Sequence, residues 1–193
     1  MDEELEFEKD WLSIEKLEFK LLTLITVLAD NHLAYRGTLA DMCGFFGLAA
    51  RDSRTNHKLK AAIESLVQKK MIYTIRDGRT WTLTLSRSAE RKSKVIKIKR
   101  EWVSAVQAIK GQGVDWTVVL KLWLYLIDNR QEVITSSEIA KTLDVSVSAV
   151  SRARGVLMNE LNAIKCKVIN KRTDSGGYCC LGTAIDVTAW IDK

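Results

Sequence analysis

Ser148, Ser151, Arg152 and Gly155 recur at steps of three and four, so a helix over this stretch sets them on one side. Two hydroxyls and a guanidinium can hydrogen-bond the edges of bases, and small neighbours allow a close approach to a groove floor. Arg54, Lys58 and Ala61 repeat the spacing of Ser148, Arg152 and Gly155, with His57 between the two cations. Flanked in this way, His57 suits contact with a phosphate better than acid–base work. Four further cations stand in or beside two expected turns: Arg76 and Arg79 in one, Lys171 and Arg172 in the other. Point charges there suit phosphate oxygens, which position a nucleic acid, whereas base contacts specify it.

The elements that must hold these residues are legible locally. Thr135 and Glu138 have the spacing of a capping box, which starts a helix with Ile139 and Leu143 on its apolar edge. Asp144 tolerates the left-handed backbone of a tight turn, and Val145 can plug that turn from inside. Ser146 caps a second helix, whose apolar face is expected at Val147, Val150, Ala153, Leu157 and Leu161. Upstream, Phe19–Asn31 reads as an apolar helix, Thr38 and Asp41 cap a short one, and Ser53–Lys69 gives a third with Leu59, Ile63, Leu66 and Val67 inward. Asp77-Gly78 between β-branched and aromatic runs predicts a hairpin with Arg76 and Arg79 at its tip. The order then repeats: an apolar helix at Trp116–Asn129, the capped pair, and a ribbon at Lys165–Asn170 and Tyr178–Thr183. These readings predict a mainly α chain with small β-hairpins, of α+β class. They divide it into an acidic arm (1–18), a first domain (19–86), a basic linker with a short strand and helix (87–110) and a second domain (111–193).

Composition narrows the partners. The chain carries 30 Lys and Arg against 24 Asp and Glu, a net +6. Residues 1–18 hold 2 basic and 8 acidic side chains, 19–90 hold 11 and 6, 91–110 hold 7 and 1, and 111–193 hold 10 and 9. A polyanion is the expected partner, gripped by the first domain and the linker. Cys43, Cys166, Cys179 and Cys180 form no C-x-x-C pair, and His32 and His57 lie far from them in sequence, which argues against zinc. No phosphate loop, G-x-G-x-x-G, H-E-x-x-H or Ser-His-Asp set occurs, so neither an enzyme nor a cofactor is expected. The acidic start is unlike a signal peptide, and no apolar run reaches membrane-spanning length. The reading is cytoplasmic, with reduced thiols.

The stretch from Thr135 to Leu161, followed by the ribbon, resembles the helix-turn-helix of winged-helix DNA-binding proteins. The repeated order resembles tandem winged helices. Bacterial transcription regulators are one group with this arrangement; replication initiators and replisome organisers of plasmids and phages are another. The resemblance implies sequence-specific binding of double-stranded DNA, by a transcriptional regulator or alternatively by an origin-binding initiator, with a homodimer as one form. It also implies a bacterial, phage or plasmid source. A third resemblance is to the tandem winged-helix scaffold subunit of bacterial condensin, which binds protein; those scaffolds are usually acidic, and this chain is basic.

Overall fold

The computed structural model describes residues 4–30, 33–50, 52–86, 93–109, 113–129, 133–172 and 178–187, without the side chains of 171, 172 and 178–183. It is a mixed chain of helices and small antiparallel sheets, of α+β class. The first half runs α1 (Lys16–Leu28), β2 (Ala34–Thr38), α2 (Leu39–Phe46), α3 (Ser53–Gln68), β3 (Ile72–Asp77) and β4 (Thr80–Leu85), after an opening strand β1 (Glu4–Glu8) and a 3-10 turn at Lys9–Ser13. The second half begins with β5 (Val95–Lys99) and α4 (Arg100–Ala108). It continues through α5 (Trp116–Asp128), β6 (Val133–Ile134), α6 (Ser136–Leu143), α7 (Val147–Asn159), β7 (Lys165–Arg172) and β8 (Tyr178–Asp186). Helix, strand, helix, helix and hairpin thus occur twice. The two three-stranded sheets match as well, β2-β4-β3 and β6-β8-β7, each antiparallel.

Several boundaries depart from the sequence reading. Residues expected as an acidic arm are built into the body: Leu5, Phe7, Trp11, Leu12 and Ile14 are all buried, and a cut at 18/19 falls inside α1. The physical reason is alternation. Glu4, Glu6 and Glu8 share one face of β1, while Leu5 and Phe7 share the other and go inward. β1 pairs antiparallel with β5 from the expected linker, whose Lys97 lies 3.7 Å from both Glu4 and Glu6. The linker cations therefore serve the fold as well as any ligand: Lys94 pairs with Asp128 at 2.6 Å, and Arg100 donates to Val27 O. β7 runs on through Lys171 and Arg172, so these two extend a strand instead of opening its turn. The rest of that turn (173–177), Trp190 and His32 lie outside the described residues.

The inner helices α1 and α5 meet, and the buried residues of both halves form one continuous cluster. Each helix sends a lysine to the start of the other. Lys20 Nζ lies 3.1 Å from Asp115, the residue capping α5, and 5.4 Å from the centre of the Trp116 ring. Lys121 Nζ donates to Ile14 O at 2.5 Å and stands 5.3 Å over the Phe19 ring. Burial pushes the Asp115 carboxyl up, but Lys16, the Thr117 hydrogen bonds and Lys20 outweigh it and hold it at about 2. Burial draws Lys121 down to about 8 against the opposing pull of Asp144 and Glu18. The far ends of the helices are tied reciprocally too. Lys9 pairs with Asp128 at the end of α5 at 2.7 Å, and Arg100 reaches the last turn of α1. A cation at a helix C-terminus also meets the negative end of the helix dipole.

Candidate nucleic-acid interface

The α6–α7 unit is assembled by short-range hydrogen bonds. The Thr135 amide donates to Glu138 Oε2 at 2.8 Å, and the Glu138 amide donates back to Thr135 Oγ1 at 3.2 Å. The Thr135 hydroxyl also donates to Glu138 Oε2 at 2.7 Å, and this bond and the Thr135 amide lower the Glu138 pKa, so the cap is ionised at neutral pH. Asp144 takes φ 52°, and the amide of Val145 closes the turn on Ala140 O at 3.0 Å. Ser146 Oγ accepts from the Ala149 amide at 3.2 Å and starts α7. Arg154 ties α7 to the start of α6 through Ser136 Oγ at 2.7 Å.

The first half is built in the same way. Thr38 and Asp41 form the capping box of α2, and Gly47, at φ 66°, stands where Asp144 stands in the second half. Asp52 caps α3 by accepting from the Arg54 amide at 3.0 Å and from Thr55 Oγ1 at 2.7 Å. The turn from Gly47 to this cap is three residues longer than the turn from Asp144 to Ser146.

On α3, Arg54, His57, Lys58 and Ala61 are exposed, and Leu59, Ala62, Ile63 and Leu66 are buried. On α7, Ser148, Ser151 and Arg152 are exposed and Gly155 is half-buried, above an inner face of Val150, Ala153, Val156 and Leu157. Three expected core positions are corrected: Val67 and Val147 are exposed at 39% and 46%, and Leu161 is half-buried. Each lies at the end of its helix or just beyond it, where the chain departs from the packed face.

The two outer faces are presented differently. Arg152 Nη1 donates to Gly113 O at 3.1 Å, and its Nε to Ser148 O at 3.4 Å, so the guanidinium leans towards the start of α5. Lys58 lines an open cleft with Glu15 and Lys16 at the start of α1 and with Asp115 and Asp144 of the other half. Arg76 lies 5.3 Å from the Trp81 ring centre, and its Nε donates to Gly78 O at 3.0 Å, which holds it against the first hairpin. Gly78 and Arg79 form that hairpin's two-residue turn, with φ 59° at Gly78 alone of the two, the type II′ pattern. Arg79 is exposed there. Lys171 and Arg172 occupy the matching end of the second hairpin, but their side chains lie outside the described residues. The structure thus gathers Arg54, His57 and Lys58 on one helix and Ser148, Ser151 and Arg152 on another, with Arg76 and Arg79 on a separate hairpin.

Sequence reasoning overlooked Tyr73 and Ile75, 64% and 71% exposed on the outer face of β3, across from Thr84 and Thr82. Their alternation with Ile72 was the available signal. It also overlooked a repeat: Lys9-Asp10-Trp11-Leu12-Ser13 matches Arg100-Glu101-Trp102-Val103-Ser104 in charge, aromatic and size, each directly after a paired strand. Among the described residues no cluster of His, Cys, Asp and Glu suits a metal ion, and no helix is long and apolar enough to cross a membrane. No protein-family model matches the chain, and no curated protein matches it.

Proposed function

We propose that the chain is a sequence-specific double-stranded DNA-binding protein made of two tandem winged-helix domains, acting as a transcriptional regulator. The observation that carries this reading is the α6–Asp144–α7 unit. A capped helix, a left-handed one-residue corner and a second capped helix leave Ser148, Ser151 and Arg152 exposed on a face whose opposite side is fully buried. Helix-turn-helix proteins offer such a face to the major groove, while the first helix crosses the backbone. The same order in the first half, with Arg54, His57 and Lys58 outward and Arg79 at a hairpin tip, supplies cations for phosphates.

The test is selection of bound duplexes from a random pool, followed by anisotropy titration of the winner across a range of salt. An enriched motif is expected, with affinity falling on the order of a thousandfold between about 50 and 200 mM salt if six or more phosphates are contacted. Failure to enrich any sequence defeats the reading. A motif that maps to clustered repeats beside a replication origin, and not to promoters, replaces the regulator with an origin-binding initiator.

A further inference from the structure

The strands β1 and β5 pair in a register that the internal repeat makes unusual. Aligning the two repeats through Trp11 and Trp102 makes Leu5 the counterpart of Ile96 and Phe7 the counterpart of Ile98. In the ladder, Leu5 faces Ile98 and Phe7 faces Ile96. Exchanging the two halves therefore leaves the pairing unchanged, with Glu6 and Lys97 facing each other at its centre. A local two-fold axis does this, and a head-to-tail repeat does not. All four apolar residues are buried, as equivalent positions should be.

The relation extends beyond the ladder. β1 packs on α1, and β5 on α5. Lys20 reaches the capping residue of α5 as Lys121 reaches the residue before the cap of α1. Lys9 reaches the end of α5 as Arg100, its counterpart in the repeat, reaches the end of α1. α3 packs on α1, and α7 on α5, so each outer face is carried by a helix that the axis relates to the other. Both faces also reach the approach to α5: Lys58 lines the cleft that holds Glu15 and Asp115, and Arg152 holds Gly113, two residues before Asp115.

Helix-turn-helix dimers bind palindromes because operator symmetry mirrors protein symmetry. Here one chain carries both members of the pair, and their outer faces differ: Arg54, His57, Lys58 and Ala61 against Ser148, Ser151, Arg152 and Gly155. We infer that a single chain binds a DNA target of two unlike half-sites in inverted orientation, one under α3 and the other under α7. The inference rests on the DNA-binding reading above and adds the stoichiometry and the symmetry of the target.

Unlike half-sites hide their orientation, so the test makes them alike. A variant with Ser148→Arg, Ser151→His, Arg152→Lys and Gly155→Ala carries the α3 face on both helices. Three of these positions are exposed, and a Cβ added at Gly155 meets nothing within 4 Å. The reciprocal variant, with Arg54→Ser, His57→Ser, Lys58→Arg and Ala61→Gly, carries the α7 face twice and serves if the first fails to fold. Each is put through selection from random duplex DNA beside the unaltered chain, and the complexes are weighed by native mass spectrometry. The expected result is a near-perfect inverted repeat, one chain per duplex, bound ~tenfold or more tighter than the same half-sites in direct orientation. A direct repeat, a lone half-site or two chains per duplex overturns the inference while leaving DNA binding intact. If the unaltered chain enriches no sequence, the DNA-binding reading falls and takes the inference with it.

Discussion

Arg152 donates from Nη1 to Gly113 O at 3.1 Å, bridging the outer face of α7 to the approach of α5. The contact uses one of five guanidinium N–H donors and Nε uses a second, so the remaining fork is available to a ligand. Ser148 lies one turn before it and Gly155 nearly one turn after, which leaves space around the group. A bidentate arginine–guanine contact discriminates by roughly 1–3 kcal/mol. Arg152→Ala is expected to relax preference at one base position of the selected site. Lys58→Ala should weaken all duplexes alike and lower the salt slope by about one. The check is anisotropy of both variants on the site and its single-base changes. A uniform loss for Arg152→Ala would show that it grips a phosphate or braces Gly113 and does not read a base.

A second expectation concerns the core. Leu124 is fully buried in α5, a helix buried almost all round because both halves pack on it. Leu124→Ala removes three carbon atoms from a site enclosed by elements of both halves, and is expected to cost roughly 2–5 kcal/mol. Urea denaturation followed by tryptophan fluorescence measures it. A loss below about 0.5 kcal/mol, typical of surface changes, would place Leu124 outside the core.

What was legible in the sequence was local. The Thr135–Glu138 box, the Asp144 corner and the Ser146 cap are each settled within a few residues, so backbone chemistry alone announces them. The Gly78-Arg79 hairpin is similar. The seam between halves was not legible, because its partners are far apart in sequence: Phe7 with Ile96, Lys121 with Ile14, Lys9 with Asp128. The Trp11 and Trp102 repeat was present in the sequence but disguised. Its strands carry Glu outward in one copy and Lys in the other, and the following segment is a 3-10 turn in one and an α-helix in the other. Opposite charges, which made residues 1–18 and 87–110 read as an arm and a linker, are what favours pairing β1 with β5 over pairing like with like.

The seam carries an acid-dependent contribution to stability. Asp115 is held at about 2, below its ordinary 3.8, by Lys16, Lys20 and Thr117 despite partial burial. A depressed folded-state pKa contributes stability that is present above 3.8 and lost as pH falls through 2. The contribution is on the order of 2 kcal/mol. Asp115→Asn should therefore be less stable than the unaltered chain at pH 6, with the gap narrowing as pH falls through that window. Thermal melts at matched ionic strength check this. A gap that does not change with pH would assign the loss to packing or to the α5 cap instead of the ion pairs.

The last expectation follows from the buried opening segment. Leu5, Phe7, Trp11, Leu12 and Ile14 are each at most 8% exposed, and Phe7 packs at 5.9 Å from Trp11 and 6.3 Å from Phe19. Burying a large apolar side chain contributes roughly 1.5–3 kcal/mol. Five of them together rival the whole stability of a typical domain, about 5–15 kcal/mol. Removing residues 1–14 also uncovers Ile96 and Ile98 and takes away Lys9, which with Lys94 pairs with the buried Asp128 carboxylate. The truncated chain is expected to aggregate or to lose its cooperative melt. An intermediate variant, Phe7→Ala, should melt cooperatively at lower temperature, at a cost of roughly 3–5 kcal/mol. Circular dichroism melts of both, with light scattering of the truncation, provide the measurement. A truncated chain that melts at the temperature of the full one would make the segment an appendage and remove the axis through Glu6 and Lys97 on which the paired half-site geometry depends.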